Sequence, residues 1–243
     1  MRALTGQLRR QEGFTLTELL VAIGAGMVVV LATFALLDGS QSAATRVQDR
    51  VQATQNGRVA MELITQRLRA QTCLGTGVPA LADARRDRVS FYTEMRDFSA
   101  GGSAAFQPQL RRLTFGTDGR VVEEIFDART TEVAPGFDFP SYPGTPARRY
   151  EIGRGLHRAG TTNFLRYFAF AGSDPATPTL ELIPSASGTL NADDRARIVR
   201  IVVTYDARPP RASGPSRVDS SFENEVYVRT SDPTDPTHSP QCL

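Results

Sequence analysis

Phe14 to Leu37 is a run of 24 positions in which Glu18 is the only charge and Thr15, Thr17 and Thr33 are the only other polar side chains. Coiled as a helix rising about 1.5 Å per residue it reaches ~36 Å, enough to cross a hydrocarbon core of about 30 Å. The pattern therefore predicts a membrane-spanning helix that ends at about Leu37. No proline follows until Pro79, and Asp38 to Thr72 is rich in Gln, Arg, Ala and aliphatic residues that favour or tolerate helix. The helix is thus expected to continue outward to Cys73, over about 59 residues and close to 90 Å. Ala60, Leu63, Ile64 and Leu68 recur at helical spacing, as do Val47 and Val51 one level below. The upper stripe is the face expected to dock on a head. Gly24, Gly26, Gly39 and Gly57 are weak points in such a helix, although small residues also permit close helix approach.

From Leu74 onward the signals change to strands and turns. Leu110 to Gly116 and Arg120 to Phe126 flank Thr117-Asp118-Gly119 and read as a hairpin. Further strands are expected at Arg88 to Met95, Asn163 to Ala171, Thr179 to Ile183, Arg197 to Tyr205 and Phe222 to Arg229. Arg197 to Tyr205 has little polarity and reads as a central strand buried on both faces, whereas Glu223 to Arg229 alternates. Ala134 to Pro146 and Arg208 to Pro215 read as loops, and Asp232 to Pro240 as a polar, proline-rich tail. The expected fold is α+β: a long N-terminal helix packed on an antiparallel sheet head. It divides into a leader at 1–13, the helix at 14–73 and the head with its tail at 74–243.

Charge sets the topology. The first thirteen residues hold Arg2, Arg9, Arg10 and Glu12, and the remaining chain carries 25 basic and 25 acidic residues. The arginines precede the apolar run and Asp38, Gly39 and Ser40 follow it, so the positive-inside rule places the leader in the cytoplasm and exports the rest. A secretory signal peptide begins in the same way, but its apolar region is about 7–15 residues, and it has no carboxylate near its start. The near-neutral body argues against a protein built mainly to grip nucleic acid. All basic residues are arginine, which excludes a P-loop lysine and a Schiff base.

Glu18 is the residue to explain, because a carboxylate at the centre of a bilayer costs about 2.5–3.5 kcal/mol on insertion scales. Gly13-Phe14-Thr15-Leu16-Thr17-Glu18-Leu19-Leu20-Val21-Ala22 resembles the processing motif of type IV prepilins and type II secretion pseudopilins. The resemblance implies a pilin-like fold, cleavage between Gly13 and Phe14 by a prepilin peptidase, and N-methylation of Phe14 by the same enzyme. It also implies that Glu18 neutralises the new amino terminus of a neighbouring subunit on assembly. An α-amine of pKa about 8 is charged near neutrality, so each buried charge needs the other. Where the family usually has an aliphatic residue this chain has Thr17, whose hydroxyl is expected to bond back to a helix carbonyl.

Cys73 and Cys242 are the only cysteines, and in an exported protein a disulfide between them is the natural expectation. His157 and His238 are too far from patterned Cys, Asp or Glu for a zinc signature. Asp193, Asp194, Asp232 and Asp235 are candidate Ca²⁺ ligands, but a solvated turn and tail account for them better. No metal, cofactor or catalytic residue is assigned, because no motif gives roles to nucleophile, base and orienter, and no enzymatic activity is expected. Arg85-Arg86-Asp87-Arg88, Arg111-Arg112 and Arg148-Arg149 are the candidate track for DNA, weakened by interspersed acids and poor aromatic interleaving.

The resemblance points to a minor pilin or pseudopilin, a structural subunit similar in plan to the J-type pseudopilin and the W-type pilin. Its implied partners are the prepilin peptidase, other pilin subunits, an inner-membrane assembly platform and membrane lipid. The rival readings are a pilus-tip adhesin, a DNA-capture subunit and an unrelated signal-anchored surface protein.

Overall fold

The computed structural model describes residues 13–74, 78–96, 106–128, 144–172, 179–183, 188–209 and 219–228. The leader up to residue 12, the tail Asp232 to Pro240 with His238, Cys242, and most of the loops Ala134 to Pro146 and Arg208 to Pro215 lie outside the described residues. The chain divides into two compact units, Met1–Gln48 and Asp49–Leu243.

One helix, α1 (Leu16–Arg69), runs for 54 residues. In the first unit its side chains are exposed, with Val28 at 67% and Phe34 at 65%. This helix is long and apolar enough to cross a membrane. Thr33 and Thr45 return their hydroxyls to the carbonyls of Val29 and Gln41, so neither polar group is left unbonded within the apolar face.

In the second unit α1 buries Ala53, Gly57, Ala60, Met61, Ile64, Thr65 and Leu68. These positions repeat every three or four residues, as one helix face requires. Leu63, expected in the stripe, is only partly buried, and Val47 and Val51 are exposed. Three small residues, Ala53, Gly57 and Ala60, and a threonine, Thr65, share the docking face; at Gly57 the strands come too close for a side chain.

Two antiparallel sheets enclose this face where the sequence suggested one. The first is a meander of β1 (Leu81–Ala84), β2 (Arg88–Arg96), β3 (Phe106–Phe115), β4 (Arg120–Asp127) and β5 (Arg148–Arg154), in that order. Then come β6 (Leu156–His157), β7 (Leu165–Phe170), β8 (Leu180–Leu182), the short α2 (Ala192–Ala196), β9 (Arg200–Ala207) and β10 (Ser220–Tyr227). The second sheet has the order β10-β9-β7-β8, with β6 also paired to β9. The switch between sheets occurs at Gly155, whose φ of 73° only glycine adopts freely. Its carbonyl accepts from Arg208 N–H, tying the corner to the end of β9.

The core is a single cluster in which α1 supplies Ile64 and Leu68, the first sheet Val89, Phe91 and Leu113, and the second Leu165, Ile201 and Tyr205. β9 is buried on both faces, as its composition predicts, and β10 alternates. The expected hairpin is β3 and β4, joined through Thr117 to Gly119.

Candidate processing and assembly site

Gly13 lies just before the helix, and Phe14 beside it is 83% exposed. Thr15 caps α1. Its backbone N–H and its hydroxyl both donate to Glu18 Oε2, at 3.0 and 2.9 Å. Glu18 N–H in turn donates to Thr15 Oγ1 at 3.3 Å. This is a capping box, in which residues N-cap and N3 satisfy each other's otherwise unpaired backbone donors. Thr17 does not bond back to a helix carbonyl as expected; its hydroxyl meets Thr15 Oγ1 at 3.1 Å. Thr15 is thus the residue that sequence reasoning passed over. Thr-x-x-Glu directly before an apolar run is the signal that marks it.

The box gives Glu18 a place to rest. A carboxylate at the first turn of a helix also lies at the positive end of the helix dipole, which lowers the cost of holding it in an apolar segment. Glu18 follows Phe14 by four positions, so the residues expected for cleavage and methylation lie close to the acid in sequence.

In the second unit, two features fix the helix to the sheets. Gly57 is a notch: a Cβ there would sit 2.4 Å from Phe222 Cε2 and 2.9 Å from Ala207 Cβ. Its carbonyl accepts from the Tyr205 hydroxyl at 2.8 Å. Burial pushes the Tyr205 phenol well above its ordinary pKa. Near the end of α1, Glu123 of β4 is 1% exposed and accepts from Arg111 Nη1 at 2.7 Å. Arg67 Nε of α1 stands 3.3 Å from the same oxygen, misaligned for a hydrogen bond but close enough for charge attraction. Arg111 also donates to Thr93 Oγ1 and Gln109 Oε1, which completes its fork. Beyond the end of α1, Cys73 is partly buried against the core and is disulfide-bonded; Cys242, the partner expected from sequence, lies outside the described residues.

Arg111 and Arg112 do not share a face. Arg111 turns to the helix side, while Arg112 lies on the opposite face of the sheet, over the Phe126 ring at 4.6 Å. Arg112 donates to Ser90 Oγ, and Arg148 to Asp127 at 3.1 Å. Among the described residues no group of three or more His, Cys, Asp and Glu is placed to hold a metal. Asp194 donates its backbone N–H to Asn191 Oδ1 and its carboxylate accepts from Arg197, while Asp232 and Asp235 lie outside the described residues.

Residues 8–34 match the family model described as the prokaryotic N-terminal methylation motif. No curated protein and no solved structure matches the chain. The motif implies processing by a prepilin peptidase and assembly with other pilin subunits. At residues 8–34 the chain thus carries the N-terminal methylation motif of prepilin-type precursors.

Proposed function

We propose that this protein is a minor prepilin or pseudopilin, a structural subunit of a type IV pilus or a related secretion filament. Cleavage falls between Gly13 and Phe14, and Phe14 is then N-methylated. The helix waits in the cytoplasmic membrane with its head outside, then enters the filament through an inner-membrane assembly platform. On entry, Glu18 leaves its cap and pairs with the charged amine of a neighbouring subunit. The observation that carries this reading is the match at residues 8–34, which runs into α1, where the side chains from Leu16 to Phe34 are exposed. A proline-free apolar run and a head larger than that of many major pilins favour a minor position, similar to the J-type pseudopilin or the W-type pilin.

In the same reading Cys73 pairs with Cys242, which secures the end of the chain to the end of the helix. Closing a loop of that length stabilises by up to ~5 kcal/mol in the chain-entropy treatment.

The test is the mass of the N-terminal peptide from membrane-extracted protein. A peptide beginning with methylated Phe14 is expected. An intact Met1 would make the chain a signal-anchored surface protein, and cleavage near Ala44 a secreted one; either result ends the filament reading.

A further inference from the structure

A cavity of about 360 Å³ opens between the β1–β2 turn, the turn after β3 and the segment joining β6 to β7. That volume lies within the usual range for small-ligand pockets, about 300–1,000 Å³. Arg85, Asp87, Phe115, Arg158, Asn163 and Phe164 are among its lining residues. None of them takes part in the processing motif or in the fastening of α1.

Two guanidinium groups are held in advance at its wall. Arg85 commits Nε to the two oxygens of Asp83, at 3.3 and 3.0 Å. Arg158 commits Nε to the Thr162 carbonyl at 3.3 Å, and Nη2 to the Thr161 carbonyl and Asn163 Oδ1, both at 2.9 Å. Nη1 of each is spent on none of these bonds, and Arg85 keeps Nη2 as well. A guanidinium anchored along one edge loses little further freedom when its remaining N–H groups grip an oxyanion.

The other polar groups select among anions. Asp87 only accepts hydrogen bonds, and Asn163, with Oδ1 engaged by Arg158, has its NH₂ left to donate. Arg86 lines the cavity too, and an acceptor beside these arginines suits a ligand that carries hydroxyls as well as a negative group. Phe115 and Phe164 stack on each other with centroids 4.9 Å apart. At 2% and 5% exposure they offer no ring face to a nucleobase.

We propose that this cavity binds a sugar unit bearing a sulfate, phosphate or carboxylate group. Arg85 and Arg158 hold the anionic group, Asp87 accepts from a ring hydroxyl, and Asn163 donates to another. The head would then recognise an acidic saccharide, in addition to its part in a filament.

Titration calorimetry on the full-length, detergent-solubilised protein tests this with six probes: sulfated and phosphorylated N-acetylglucosamine, glucuronate, neutral N-acetylglucosamine, inorganic sulfate and oligothymidylate. The acidic sugars are expected to bind about tenfold or more tightly than the neutral sugar and inorganic sulfate. Arg85→Gln and Arg158→Gln should each remove about tenfold of that affinity. Asp87→Asn, at an exposed position that tolerates change, should weaken the acidic sugars and leave inorganic sulfate unaltered. Which acidic sugar binds most tightly distinguishes ester from carboxylate. Equal binding of inorganic sulfate would mean an adventitious ion only, and tighter binding of oligothymidylate a nucleic-acid site. Either result, equal binding of the neutral sugar, or no heat from any probe overturns the proposal and leaves the prepilin assignment as it stands.

Discussion

Gly57 shows how one missing side chain sets the distance between a helix and a sheet. With a Cβ only 2.4 Å from the Phe222 ring, Gly57→Val forces the ring aside and is expected to cost about 1–3 kcal/mol, seen as a lower unfolding midpoint in urea. The sequence marks Gly57 only as a weak point in a helix, because its partner lies far along the chain. Gln71 carries the opposite lesson. It is fully buried, and neither its Oε1 nor its Nε2 finds a hydrogen-bond partner. Gln71→Leu is therefore expected to stabilise the protein by about 1–2 kcal/mol in the same measurement. Tyr205 and Tyr167 set an alkaline limit. Burial raises both phenols above their ordinary pKa, and Asp83 adds to the effect at Tyr167. In the unfolded chain they ionise near pH 10, so their contribution is complete below about pH 10 and is lost as pH rises towards the folded values. Unfolding above that pH should coincide with the appearance of tyrosinate absorbance, and Tyr205→Phe should make the decline shallower.

Among the elements, α1 has two ends with different chemistry. At its start, Glu18→Gln keeps a side chain that can serve the capping box but removes the charge, whereas Glu18→Ala removes both. If the carboxylate acts by pairing with a neighbour's amine, both variants should be inserted and both should fail to form filaments; filament yield and membrane fractionation read the two steps. Recovery of filaments in Glu18→Gln would assign the role to capping. At the other end, Glu123→Ala strands Arg111, whose side chain is 14% exposed, and is expected to cost about 3–5 kcal/mol. Arg67→Ala should cost less than about 1 kcal/mol, since Arg67 is 36% exposed and water screens its share. Thermal unfolding of the two variants side by side checks the contrast. Strands were legible where burial imposed a pattern. β9 and β10 announced themselves, and the β3–β4 turn has the residues such turns require. β5 gave no such sign, because Arg148 to Glu151 are exposed and the strand lacks alternation. The division into two sheets turns on Gly155, one glycine among 20 in the chain. Its positive φ has no counterpart in composition.

For the molecule as a whole, the N-terminal methylation motif was the most legible feature, because it requires particular residue types within a few consecutive positions. The fastening of the head was the least legible, because it depends on contacts between residues far apart in sequence. That fastening has a mechanical consequence. The first sheet grips α1 through Arg111, Glu123 and Arg67, and the second through Phe222, Tyr205 and the Gly57 notch. Both grips act on the same few turns of helix, so tension drawn along its axis is shared by two anchors in parallel. Rupture then requires both to yield, and loosening either one lowers the breaking force while leaving the two sheets intact.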